Sequence, residues 1–233
     1  MSSDRATIGA GQVYERPALD RFAATESGIP FVVVRDSGRP GPHVVISALV
    51  HGNELCGAAA LCRLIDAGLV PTRGRLSMAF ANVVAYQTFE PARPFAARYL
   101  DEDFNRLWSE QILALPDRSR EHARAKALSP LFAGADFLLD LHSTAGESPP
   151  MLLCGRTAKN RRLAQTLGFP ADVIADAGHA SGLRLIEYGA FGQERSTATA
   201  LLIECGQHFD PAARDVALEC ALRFLVAVGA IAS

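Results

Sequence analysis

The stretch His43-Val44-Val45-Ile46-Ser47-Ala48-Leu49-Val50-His51-Gly52-Asn53-Glu54, running on into Leu55-Cys56-Gly57-Ala58-Ala59-Ala60-Leu61-Cys62-Arg63-Leu64-Ile65-Asp66-Ala67, decides how this chain is read. His43 to Ala48 is a short β-branched apolar run that follows Gly41-Pro42, the pattern of a fully buried strand. Leu55 to Ala67 has the composition of a helix, with Asn53 as its expected N-cap and Gly68 as its stop. Between them is a sharp turn carrying a histidine and a glutamate three residues apart, which can point at one spot. An imidazole nitrogen and a carboxylate oxygen are both good ligands for zinc. Alone, the H-x-x-E spacing is a weak signal, because a capping glutamate and a hydrogen-bonded histidine account for it equally well.

Working outward, Phe31 to Arg35 and Arg75 to Asn82 read as further strands, with Ser37 to Pro42 as a connecting loop. Residues 1–30 are polar and punctuated by Pro and Gly, and are expected to form an arm or an edge strand ahead of a single catalytic domain over 31–233. Val83 to Pro116 reads as an irregular, charge-rich segment, and a loop of that length inside a compact domain is more often functional than decorative. Arg118 to Leu131 is an expected helix. Asp136 to Leu141 is an expected buried strand that ends in His142-Ser143-Thr144. Met151 to Cys154 and Val173-Ile174 are short strands, Ala158 to Leu167 a helix closed by Gly168, and Gly178 to Gly192 carries no assignable pattern. Thr199 to Ile203 is a last core strand ending in Glu204, and Pro211 to Val228 a C-terminal helix with proline in its first turn. Strands alternating with helices indicate an α/β sandwich with a mixed, largely parallel sheet. His51, His142 and Glu204 then fall at the C-terminal ends of apolar strands, the edge at which open α/β sheets bind ligands.

Composition narrows the choice of partners. A 233-residue chain is long enough for one substantial core, and 49% hydrophobic with 21% charged residues is an ordinary globular balance. The formal charge of −2 offers no attraction for nucleic acid or anionic membrane. No apolar run approaches the roughly 18 residues of a membrane span, and the N-terminus lacks the apolar core of a secretory signal, so a cytoplasmic protein is expected. The cysteines at 56, 62, 154, 205 and 220 are odd in number and form no C-x-x-C pair, which reads as buried reduced thiols.

His51, Glu54 and His142 together would make a three-ligand zinc site with a position left open, the form taken by catalytic zinc. Zinc lowers the pKa of water bound to it toward about 7. Glu204, set among apolar residues at another strand end, is the candidate general base and acid, with burial tuning it toward the operating range. In the run Arg98-Tyr99-Leu100-Asp101-Glu102-Asp103-Phe104-Asn105-Arg106, the residues Arg98, Asn105 and Arg106 can hold carboxylate or carbonyl oxygens by charge-assisted bonds.

His51-Gly52-Asn53-Glu54, the run at 98–106, Asp140-Leu141-His142-Ser143-Thr144 and Ile203-Glu204 stand in the order and rough spacing of the succinylglutamate desuccinylase/aspartoacylase family, which the chain resembles over roughly residues 40 to 210. The resemblance implies a zinc-carboxypeptidase-like three-layer α/β/α sandwich, one zinc per chain held by His51, Glu54 and His142, and Glu204 as the residue that activates water. It further implies that Arg98 polarises the scissile carbonyl and that Asn105 and Arg106 grip a substrate carboxylate. A family arginine about ten residues before the catalytic glutamate binds a second carboxylate, and Arg195, nine before Glu204, is the candidate for it. The implied reaction is hydrolysis of the amide of a small N-acyl amino acid. A small metallo-carboxypeptidase or peptidoglycan-type amidase is the alternative, and a non-catalytic metal-binding relative a further one.

The best-known members also carry a C-terminal β-rich domain that narrows the cleft. The chain ends about thirty residues past Glu204, so a more open cleft, or a neighbouring subunit in a homo-oligomer, is expected in its place. Phe104 and Trp108 stand where the motif more often has aliphatic or smaller aromatic side chains. His43 and His122 read as surface or core-edge residues, His179 and His208 as residues that could lie near the cleft, and Gly52 as a requirement of the tight turn.

Overall fold

The computed structural model describes residues 16–232; the first half of the expected N-terminal arm lies outside them. The strands are β1 (Val32–Asp36), β2 (His43–Ala48), β3 (Arg75–Phe80), β4 (Phe137–Thr144), β5 (Met151–Leu153), β6 (Asp172–Ile174) and β7 (Thr199–Gln207). The helices are α1 (Leu55–Asp66), α2 (Val83–Gln87), α3 (Glu110–Leu113), α4 (Arg120–Ala133), α5 (Ala158–Leu167) and α6 (Ala212–Ala227). The seven strands form one mixed sheet in the order β1-β3-β2-β4-β7-β5-β6. Its centre, β3-β2-β4-β7, is parallel; β1 joins β3 and β5 joins β7 antiparallel.

Period-two alternation sorts the strand side chains into two cores. Val44, Ile46 and Ala48 of β2, Leu139 and Leu141 of β4, and Leu201 and Ile203 of β7 meet Leu55, Leu61, Ala164, Ala217 and Phe224 of α1, α5 and α6. On the opposite face Val45, Leu138, Ala200 and Leu202 meet Ala125, Leu128 and Phe132 of α4, together with Phe104, Trp108, Leu185 and Ile186 from irregular segments. This is the expected three-layer α/β/α sandwich, with one layer built largely from loops and 3-10 turns. Phe104 and Trp108 are fully buried and pack edge to face with ring centroids 5.5 Å apart, so they serve the core. Within the described part of the expected arm, Leu19 and Phe22 are buried against the α1 side of the sheet.

The element order agrees with the reading of the sequence, and the differences have physical causes. Residues 83–116 contain two short helices and two 3-10 turns, held by local caps: Asn82 accepts from the Ala85 amide and Ser109 from the Ile112 amide. Residues 178–192 contain two 3-10 turns, Leu185–Glu187 and Gly189–Gly192. α1 is preceded by Glu54, not Asn53, in the cap position, and no side chain caps it. The Glu54 carboxylate is drawn to the two imidazoles described below. His43 and His122 are buried, each bonded to a carbonyl: His43 to Gly134 O at 3.0 Å and His122 to Ile112 O at 2.8 Å.

Candidate metal-hydrolase centre

β4 and β7 are neighbouring parallel strands, and His142 pairs in register with Glu204. Both residues lie inside their strands, not just past them as expected, because the ladder continues through the two positions before its register shifts toward Thr144. Alternation turns both side chains to the α4 face, where Leu138 and Leu202 also point. From β2 the chain turns back at Leu49, a fully buried residue held at φ 61. A bulky side chain in the left-handed region is strained, and such strain persists only where surrounding structure enforces it. The turn delivers His51 and Glu54 beside His142.

The donor set is compact and buried. His51 Nδ1 lies 2.7 Å from Glu54 Oε1, and His142 Nδ1 2.8 Å from Glu54 Oε2. The three residues are 1–4% exposed, and their donor atoms all lie within 4.8 Å of one another. Each imidazole uses its other nitrogen on an outer carboxylate: His51 Nε2 is 3.1 Å from Asp103 Oδ1, and His142 Nε2 is 2.8 Å from Asp140 Oδ2. That pairing fixes ring orientation and turns both Nδ1 atoms inward, the arrangement of carboxylate–histidine–zinc triads. Glu54 Oε2, although close to His142, has no hydrogen bond, as does the buried Oε2 of Glu204. Two imidazoles and a carboxylate with such an oxygen fit a divalent zinc ion, which would take both rings in their neutral form. Burial opposes charge on Glu54 and on His142. The neighbouring opposite charges win, holding Glu54 well below the usual carboxylate range and raising His142. Burial pushes Glu204 up to about 8.

The arginine-bearing segment is pinned from two sides. Glu121 of α4, 1% exposed, accepts from the Leu100 and Asp101 amides at 2.8 and 3.1 Å. Gly52 donates its amide to Arg98 O at 3.0 Å. The reason for glycine at 52 is this close approach and not the turn. A Cβ there would lie inside contact distance of the backbone at Ala85, Tyr86 and Ala97. Gly52→Ala is expected to cost about 1–3 kcal/mol, the usual range for overpacking, and to lower activity by moving Arg98; thermal melts of the purified variant check the first part. Arg98 Nη2 meets Asp103 Oδ2 at 3.2 Å and stays half-exposed at the cleft.

His51, Glu54, Arg98, Asn105, Arg106, His142 and Glu204 all line one cleft of about 390 Å³. His179 and His208 line it as well. Arg195 is not brought there; it is exposed in the turn before β7. β7 runs from its N-terminal edge at Thr199 to Glu204, roughly 16 Å of extended chain, so a residue nine before Glu204 lies at the far edge of the sheet. Arg184 lines the cleft instead. The reading of the sequence missed Asp103, Asp140 and Arg184. Asp140 had a signal, since two residues before His142 on a strand means the same face. Nothing marked Arg184.

His208, 1% exposed, bonds through Nδ1 to Ser143 Oγ at 2.8 Å on the opposite face of β4. Burial lowers it from 6.5 to about 4. Between those values the unfolded chain binds more protons than the folded one. Its stabilising effect is therefore complete above pH 6.5 and is lost as pH falls toward 4. The loss amounts to about 3 kcal/mol. Chemical unfolding at pH 7 and pH 5 should show this slope, and His208→Gln should flatten it.

A family model described as the succinylglutamate desuccinylase/aspartoacylase catalytic domain matches residues 40–226. The chain is 31% identical over 180 residues to a succinylglutamate desuccinylase of Burkholderia orbicola, an alignment covering 70% of this chain and 49% of that one. It is 29% identical over 126 residues to the rat N-acyl-aromatic-L-amino acid amidohydrolase (carboxylate-forming), covering 50% of this chain and 38% of that one. Among solved structures, a succinylglutamate desuccinylase from Silicibacter sp. TM1040 superposes with a TM-score of 0.68 at 18% identity, over 87% of this chain and 61% of that one. The chain thus spans about half the length of the Burkholderia relative. Among the described residues no helix is long and apolar enough to cross a membrane.

Proposed function

Since the chain belongs to the succinylglutamate desuccinylase/aspartoacylase family, we propose that it is a zinc-dependent amidohydrolase that cleaves small N-acyl amino acids to a carboxylate and a free amine. The observation that carries this reading is the Glu54 carboxylate set between two imidazole Nδ1 atoms, with the half-buried Glu204 in register with His142 on the next strand. Zinc held by His51, Glu54 and His142 would supply Lewis acidity toward water and a carbonyl oxygen, and its charge would draw Glu204 down from about 8.

The chain's own groups supply the rest. Glu204 accepts a proton from the attacking water and returns it to the leaving nitrogen, a role that needs a pKa near the working pH. Arg98, half-exposed at the cleft mouth and tethered by Asp103, places positive charge where the carbonyl oxygen becomes negative. Arg106 takes a substrate carboxylate. Asn105, 3% exposed, is anchored through its Oδ1 on the Leu185 amide at 2.8 Å, which fixes the side chain beside Arg106. Metal analysis of the purified protein, then amine release from a panel of N-acyl amino acids and C-terminal peptides with and without chelator, tests the reading. About one zinc per chain and chelator-sensitive release from acyl amino acids is the expected result. Release from peptides alone would favour the carboxypeptidase alternative, and zinc without turnover of any amide would favour a binding role.

A further inference from the structure

Three arginines line the cleft, and they are not equivalent. Arg184, 7% exposed, is already engaged by two carboxylates. Its Nη1 and Nη2 make a two-pronged pair with Asp176 at 2.8 and 2.6 Å, and its Nε and Nη2 reach the two oxygens of Glu187 at 3.3 Å each. Four of its five N–H groups are thereby used. Glu187 is fixed in turn, since it accepts from the Arg184 amide at 3.0 Å and packs so closely on Gly178 that a Cβ there would collide with it. Asp176 lines the cleft beside Arg184 and Glu187 does not, and together the two carboxylates neutralise the charge this guanidinium could offer a ligand there.

Arg106 is the opposite case. Its Nε donates to Ser181 Oγ at 3.0 Å and its Nη1 to the Asn105 carbonyl at 2.7 Å, which leaves three N–H groups. Among the described residues it is the cleft arginine with no carboxylate partner; Arg98 has Asp103. Ser181 is itself bonded to His179 Nδ1 at 2.8 Å, so the 179–181 turn aims the guanidinium.

Building on the amidohydrolase reading, we propose that this cleft selects substrates with a single carboxylate, taken by Arg106, and that the Asp176–Arg184–Glu187 triad excludes a second one, so that N-acyl amino acids with uncharged acyl groups and uncharged side chains are the preferred class. A second carboxylate facing Arg184 would find one free N–H on a guanidinium already paired, with the Asp176 carboxylate beside it in the cleft, and a desolvated charge left without a counter-charge is strongly disfavoured. An amide or alkyl group of the same shape carries no such penalty.

The test compares matched pairs that differ only in that charge, on the zinc-loaded protein: N-acetylglutamine against N-acetylglutamate, and N-acetylasparagine against N-acetylaspartate. The neutral member is expected to show kcat/KM at least about tenfold higher, equal to 1.4 kcal/mol. A smaller preference, or any preference for the acid, overturns the proposal. Asp176→Asn frees one edge of Arg184 and should narrow the ratio at least threefold; an unchanged ratio in the folded variant overturns the role of the triad. Should that variant not fold, Glu187→Gln serves the same comparison. Calorimetry with glutaramate and glutarate separates this proposal from the one it builds on. Tighter binding of glutaramate without turnover of any amide would sink the amidohydrolase reading and keep the charge selection, whereas turnover with tighter glutarate binding would do the reverse.

Discussion

Glu204→Gln should lower turnover of the preferred N-acyl amino acid by about 10³-fold while leaving one zinc per chain. Positioned acid–base groups contribute roughly 10²–10⁴-fold, and the amide keeps the shape of the side chain but cannot take a proton. Glu204 sits on β7 beside His142 and is not one of the three clustered donors, so metal content is expected to survive. A second readout needs no substrate. In metal-free protein the folded pKa of about 8 lies above the ordinary 4.5, so the folded state binds more protons across that interval. The group's cost to stability grows as pH rises from 4.5 to 8. The glutamine variant should therefore be the more stable protein at pH 8, by a margin that vanishes toward pH 4.5. Wild-type turnover in this variant would remove Glu204 from the mechanism. Lost activity together with lost zinc would make it part of the metal site.

Glu54→Gln should weaken zinc binding by more than about 10³-fold and abolish turnover at micromolar zinc. Glu54 is the one donor that touches both imidazoles, and an amide has neither the charge nor the basicity of a hard oxygen ligand. Asp140→Asn and Asp103→Asn should be milder, about 10–100-fold in affinity, since they act through the orientation and basicity of His142 and His51. Competition against a colorimetric zinc chelator ranks the three. If the outer-carboxylate variants lose as much affinity as Glu54→Gln, the division between ligands and supports is wrong. If Glu54→Gln binds as wild type, the site is elsewhere. Asp103→Asn carries a further effect, because Asp103 also tethers Arg98 at 3.2 Å; its kcat should fall even at saturating zinc.

These expectations rest on a centre that serves one purpose with several kinds of residue. The inner donors are separated along the chain but meet where β2, β4 and β7 end side by side. The strained Leu49 and the close packing at Gly52 hold the turn that carries two of them. Glu121, from a helix on the outer layer, anchors the arginine segment over the cleft through two backbone amides. None of these three residues touches substrate in the proposed reaction. Each is a place where a substitution far from the chemistry would still reach it through a shifted ligand or guanidinium.

The sequence by itself determined the strand and helix order, the α/β/α class, and the convergence of His51, Glu54, His142 and Glu204 on one sheet edge. Those features are local: hydrophobic period sets element type and face, and parallel connections oblige successive strand ends to share an edge. Only the tertiary structure decided which remote groups complete the site. Arg195 satisfied a spacing along the chain, yet β7 carries it to the far edge of the sheet, while Arg184, twenty residues before Glu204, enters through a 3-10 turn. Asp103 is one of three consecutive acids, Asp101-Glu102-Asp103, and nothing in that run marks it as the one facing His51. The charge that Arg184 presents was likewise beyond the sequence. A guanidinium is free or saturated according to what folds against it, and Asp176 and Glu187 do so here through geometry that no linear pattern encodes.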